Sequence, residues 1–212
     1  MQKRAEQTRQ AIVRATAELI GDDGPGAAGL VDICRGAGVS RGALYHHFAT
    51  KEAVVVAVHT QARRKATALV DAAFGDALSD PLDTAAFTAL SRFGSALGRA
   101  LSDDLTVRAG LQLDPDGSAD PARRLRQEVL SAVHRRVSGL LPPDAPGAPG
   151  PEGQDLADLA MVVVAGLESL GRTDPAWWSP GTSDRVWRTL RRLFTDPASA
   201  PDDTVTPREP GE

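Results

Sequence analysis

Between Ala37 and Lys51 the chain reads AGVSRGALYHHFATK. Ser40 has the side chain and the position of a helix N-cap, because its oxygen can accept from an N–H of the turn that follows. Arg41 next to it carries a planar fork of donors that matches the O6/N7 edge of guanine. Gly42 and Ala43 are small enough for the backbone to come close to a partner. Thr50 caps a further helix that begins at Lys51, and a helix start offers free N–H groups to a phosphate. Together these residues suit contact with base edges and backbone of duplex DNA.

Such a surface needs a rigid support. A short helix is expected over about 29–36, a turn over Ala37-Gly38-Val39, and a second short helix from Ser40 to about His46. Two short helices around a tight glycine turn make a helix-turn-helix unit, whose second helix enters the major groove. Ile33, Ala37, Val39 and Leu44 fall where they can form the small core that fixes the angle. Gly38 supplies a turn conformation that a Cβ resists. Ahead of this unit, Ala5, Ile12, Ala15 and Leu19 recur at helical spacing, so residues 3–20 read as an amphipathic helix ended by Gly21-Asp22-Asp23-Gly24-Pro25-Gly26. Behind it, Ala53-Val54-Val55-Val56-Ala57-Val58 is locally strand-like. The Thr50 cap and the unbroken run to Val70 favour a long helix over 51–74.

Charge is uneven along the chain. The total is −4, yet residues 1–65 hold ten Lys/Arg against six acids. A basic head on an acidic body directs one end toward phosphates. Aromatics make up only 4% of the residues, so the core must be built from Ala, Val and Leu in close-packed helices. No apolar run is long enough to span a membrane, and the charged N-terminus lacks the apolar stretch of a signal peptide. The single cysteine, Cys34, excludes an internal disulfide framework and reads as a small buried residue. No Gly-rich phosphate loop, metal-ligand spacing or Ser-His-Asp set is apparent, and His59 and His134 stand alone. No enzyme activity, cofactor or metal is therefore expected, and the expected compartment is the cytoplasm.

The block from Ala37 to Glu52, with Arg4-Ala5-Glu6-Gln7-Thr8-Arg9 and Asp32-Ile33 upstream, resembles the DNA-binding signature of the TetR family over roughly residues 3–60. The resemblance implies that Ser40, Arg41 and Gly42 face bases. It makes Tyr45, His47 and Lys51 phosphate contacts, with Ala43 and His46 completing the DNA-facing set. One departure stands out. The residue before Leu30 is usually Ser or Thr in the family, where it caps a helix and touches a phosphate; here it is Gly29, followed by Val31. The cap should be weaker by a few tenths of a kcal/mol.

The implied architecture is all-α: a helix-turn-helix domain over 1–50, a larger ligand-binding and dimerisation domain over 51–196, and a disordered tail over 197–212. Helices are expected at about 82–101, 104–113, 120–141, 154–171 and 182–195, with a long connection across Pro142–Gly153. Leu105–Leu113 and Asp174-Pro175-Ala176-Trp177-Trp178 are similar to segments of the γ-butyrolactone-receptor branch. That branch usually has a pocket tryptophan near the position of Leu125. The resemblance implies an apolar pocket for a butanolide or furan-like effector, lined by Val58, Gln61, Phe87, Leu90, Phe93, Leu111, Leu125, Val129 and Val163. It implies a homodimer through the last two helices, a near-palindromic double-stranded DNA operator, and repression of antibiotic or secondary-metabolite genes that the effector lifts. Open alternatives are a drug or acyl-CoA-type ligand on the same fold, or a pseudo-receptor without butanolide response.

Overall fold

The computed structural model describes residues 2–75, 82–113, 125–140 and 153–195. Among these residues the regular structure is helical. The first helix, α1, runs Gln2–Asp23 and is followed by a 3-10 turn, Pro25–Ala27. Then come α2 (Leu30–Ala37), α3 (Arg41–His47), α4 (Lys51–Gly75), α5 (Leu82–Asp103), α6 (Leu105–Gln112), α7 (Leu125–Leu140), α8 (Gly153–Gly171), a 3-10 turn at Pro175–Trp178, and α9 (Pro180–Thr195). The expected tail over 197–212, most of the Pro142–Gly153 connection and the first residues of the helix expected from 120 lie outside the described residues. Among the described residues no helix is long and apolar enough to cross a membrane.

Two apolar clusters carry the fold. The smaller joins Ile12, Val13, Ala17 and Ile20 of α1 to Ile33 and Cys34 of α2, Leu44 of α3, Phe48, and Val54 and Val58 of α4. The larger packs Ala62, Ala66, Val70 and Phe74 of α4 against Leu90, Phe93 and Leu97 of α5, with Val107, Leu111, Val129, Val133 and Trp187. The clusters thus meet inside α4, between Val58 and Ala62, rather than at the start of that helix. Helix α6 also serves both: Ala109 and Leu113 belong to the smaller cluster, Val107 and Leu111 to the larger.

The β-branched run at 54–58 is helical because its buried face recurs every four residues at Val54, Val58, Ala62, Ala66 and Val70. That stripe leaves Gln61 exposed, one residue off the buried face. Helix α1 also runs past its expected stop. Gly21 stays helical, and the first break comes at Gly24 with φ 86°. Gly21 is where α6 lies against α1: a Cβ there would sit 3.3 Å from Leu105 Cδ2 and its carbonyl oxygen. The glycine marks a close helix crossing, not a helix end.

Candidate nucleic-acid interface

Local capping builds the reading surface. Gly38 takes the left-handed conformation (φ 64°, ψ 32°) and ends α2, its N–H donating to Arg35 O at 3.2 Å. Ser40 is extended, and its Oγ accepts from Ala43 N at 3.1 Å, which starts α3. Leu44 points inward with 0% exposure and ties α3 to the core. Opposite it, Arg41, Gly42, Tyr45 and His46 are exposed, and Ala43 and His47 are half-buried. Tyr45 is 46% exposed, unusual for so large a side chain. The His46 and His47 rings meet edge-on at 5.3 Å between centroids.

Thr50 caps α4 through Ala53 N at 3.1 Å, leaving half-buried Lys51 at the N-terminus. Its neighbour Glu52 is held below the ordinary carboxylate range, first by its own backbone N–H and then by the Thr50 hydroxyl. Arg9 of α1, part of the upstream signature but given no role in it, lies over the Phe48 ring at 5.0 Å and adds a cation beside α3. All eight expected DNA-facing residues, Ser40 to Ala43, Tyr45 to His47 and Lys51, sit on one short stretch, with Ser40 Oγ and Ala43 N–H engaged in the α3 cap. Gly29 is the N-cap of α2 with no side-chain cap hydrogen bond, while Asp32 is engaged by Arg35 at 3.0 Å.

The nine expected pocket residues do not form one cavity. Val58 lies in the smaller cluster, beside the reading unit, and Gln61 faces solvent. Both follow from the four-residue stripe on α4, whose body-facing half begins only at Ala62. Leu90, Phe93 and Leu125 are fully buried core. Phe87 lines an outer cleft between α5 and α9. Val163 of α8 is half-buried against the larger cluster. Leu111 and Val129 alone share a lining, with Leu97, Arg126, Leu130, Val164, Ala165 and Glu168. That seam has room for about 10 Å³, roughly one water.

Glu168, which motif reading missed, is the seam's distinctive residue. Its buried carboxylate meets Arg126 Nε at 3.2 Å and Arg172 Nε at 2.8 Å. Its signal in the sequence was an acid inside the apolar run MVVVAGLESL with an arginine four residues on. Trp178 Nε1 donates to the Glu168 carbonyl at 3.2 Å.

Arg108 links this region to the reading unit. It donates to Leu101 O at 2.8 Å and Ser102 O at 2.6 Å, faces the Trp178 ring at 5.6 Å, and reaches Asp22 of α1 at 3.5 Å. Gln112 Nε2 adds a bond to Gly21 O at 3.1 Å. On α4, Lys65 pairs with Asp104 at 2.6 Å, the residue that caps α6. Burial alone would raise the Asp104 carboxyl. The Lys65 ammonium and the Thr106 and Val107 N–H groups outweigh burial and hold it below its ordinary range.

Residues 12–58 match the family model described as bacterial regulatory proteins, tetR family. The A-factor receptor protein of Streptomyces griseus is 47% identical over 57 residues, 27% of this chain and 21% of that protein. The chain spans between about a fifth and a half of the length of the curated regulators it matches. The fold resembles CprB from Streptomyces coelicolor in complex with its operator, at TM-score 0.68 and 26% identity over 88% of each chain. It also resembles a gamma-butyrolactone receptor described as ArpA-like, at TM-score 0.52 and 26% identity, over 88% of this chain and 99% of that one.

Proposed function

We propose that this chain, a TetR-family transcriptional regulator, works in the cytoplasm as a dimeric repressor that a small molecule releases from a near-palindromic operator. The observation that carries the reading is the exposed first turn of α3, with Arg41, Gly42 and Tyr45 outward over a buried Leu44. Arg41 reads guanine through paired donors, while Tyr45, His47 and Lys51 fix the register on phosphates.

Dimerisation uses the last two helices, α8 and α9. Leu159, Val162, Gly166 and Leu170 recur along one side of α8, Val162 being 69% exposed. Leu156 and Ala160 of the same helix are buried inside the protomer and serve its own core. A two-fold pair sets two α3 helices one DNA turn or a small multiple apart.

Release follows from the shared helices. Because α6 and α4 both enter the smaller cluster, a ligand that parts the seam at Leu111 and Val129 moves the support of α3. It must bind the DNA-incompetent state more tightly, otherwise no population shifts. The effector class we favour is a butanolide or furan-like molecule acting on antibiotic or secondary-metabolite genes; a drug or an acyl-CoA is the alternative chemistry. A second reading, a pseudo-receptor without butanolide response, is favoured by one observation: Leu125 is fully buried and packs toward Gly110 as plain core.

The test is selection of bound duplexes from a genomic library, with and without culture extract, followed by gel shift. Recovery of a two-fold-symmetric site that extract releases supports the whole proposal. Recovery without release supports the second reading. No preference over random competitor at moderate salt sinks both.

A further inference from the structure

The buried face of α1 ends in a cation. Ile12 and Val13 pack into the smaller cluster with Leu44 and Phe48. Arg9 stands three and four positions ahead of them, so it extends the same face by one turn. It is exposed, and its guanidinium carbon lies 5.0 Å from the centre of the Phe48 ring. Phe48 itself is buried and closes α3, its N–H donating to Leu44 O at 2.9 Å. A group held on that ring lies at the joint between α3 and α4, with His47 on one side of Phe48 in the chain and Thr50 and Lys51 on the other.

Other arginines of the same unit are committed elsewhere. Arg14 pairs with Glu18 at 2.8 Å and Arg35 with Asp32 at 3.0 Å, each within its own helix. Arg9 makes no ion pair or side-chain hydrogen bond among the described residues. Contact with an aromatic face consumes no hydrogen-bond donor, so the fork of N–H groups stays available. The ring thus fixes where the charge sits without neutralising it. A placed guanidinium with its donors unspent, beside a surface that faces duplex DNA, matches a phosphodiester oxygen.

We propose that Arg9 is a phosphate contact supplied by α1 and held at the end of α3 by the Phe48 ring, so that the DNA backbone is gripped from three helices rather than two. The inference rests on the DNA-binding reading of α3, and it is independent of dimer contacts and effector. A phosphate contact sets register and carries no base information. Preorganisation adds to its value: an arginine already resting on a ring has given up part of the rotamer freedom that a mobile one loses on binding.

The test is fluorescence anisotropy of the full chain across salt, on a mixed-sequence duplex and on the selected operator. Arg9→Met, which can still cover the ring, should lower the salt slope by about one on both duplexes and weaken binding about eightfold at about 0.1 M salt. Arg9→Lys should keep the parent slope. On operators carrying a single neutral methylphosphonate, one position should cost the parent affinity and cost Arg9→Met nothing further. An arginine that only braces Phe48 would instead lower the urea midpoint and leave the slope alone. The parent slope in Arg9→Met or Arg9→Gln, with native circular dichroism, therefore overturns the proposal, and so does an Arg9→Met protein that responds to every methylphosphonate as the parent does. A parent that binds no duplex sinks the DNA-binding reading and this inference together, whereas an unchanged slope in a protein that binds refutes the role of Arg9 alone.

Discussion

Gly110→Ala is the most informative single change. A Cβ at Gly110 would overlap the Ala62 Cβ and come within 3.0 Å of Leu125 Cδ2. Carbon atoms need about 3.5 Å, so α6 must move off α4. Overpacking of this kind costs about 1–3 kcal/mol. Alanine returns about 0.5–1 kcal/mol of helix preference over glycine. The net loss should be about 1–2 kcal/mol, or about 2–8 °C in Tm for a chain of this size. Ala62→Gly alone should cost a similar amount, from helix preference and a lost methyl contact. The double variant exchanges the methyl between the two helices, so helix preferences cancel and the crossing regains its spacing. Its stability should return to within about 1 kcal/mol of the parent, a coupling of about 2–3 kcal/mol in a double-mutant cycle. Urea unfolding gives these values. DNA affinity should follow the same pattern, because α6 carries Ala109 and Leu113 into the cluster under α3. A Gly110→Ala protein as stable as the parent, or a double variant no better than either single, would refute the crossing as the joint between the two clusters.

The other expectations are simpler. Arg41→Ala should weaken binding to the selected operator by about 1–3 kcal/mol and relax preference at one base pair, whereas Lys51→Ala should weaken all duplexes alike and lower the salt slope by about one, both read by fluorescence anisotropy across salt. Gly29→Ser should stabilise: Gly29 is extended at φ −73°, any residue fits that backbone, and the new Cβ meets only the movable Asp32 carboxylate at 2.9 Å. The expected gain is a few tenths of a kcal/mol in thermal unfolding, with tighter DNA binding if the hydroxyl also reaches a phosphate. For Asp104, the folded carboxyl titrates below the unfolded one, so its contribution is present above the unfolded value of about 3.9 and fades as pH falls through the folded one. The stability gap between parent and Asp104→Asn should therefore be flat from neutral pH to about 5 and close below about 4; a gap that widens on acidification contradicts the Lys65 pairing.

What could be read in advance, and what could not, follows from the range of the interactions. The reading unit is local: Ser40, Gly38, Thr50 and Leu44 act on residues within a few positions, so their types announce their roles. Gly21 looks like a local stop for α1, yet its reason is Leu105, more than eighty positions away. The pocket failed for the same cause. Apolar residues on α4, α5 and α7 look alike in sequence, and whether one lines a void or fills a core depends on its partner across the bundle. Gln61 illustrates the difficulty. One step of about 100° around α4 separates it from Ala62, and which face was buried depended on Gly110, where α6 approaches.

The same reasoning explains why the joint between body and reading unit is α6 rather than α4 alone. A single long helix that crosses from one cluster to the other could bend or pivot without moving its neighbours. Here α4 is met near its crossing point by α6, which also lies along α1 through Leu105, Arg108 and Gln112. Arg108 holds the end of α5, the Trp178 ring and Asp22 together, so displacement of Trp178 cannot leave α1 untouched unless that ion pair opens. The pair with Asp22 is the weak member, at 3.5 Å with the carboxylate 59% exposed, against backbone acceptors at 2.6 and 2.8 Å. Exposed pairs contribute about 0–1 kcal/mol. In the proposed release the Arg108–Asp22 pair is therefore the first of the α6–α1 contacts to yield, while Leu105 and Gln112 still hold α6 against α1 and carry its movement to the reading unit.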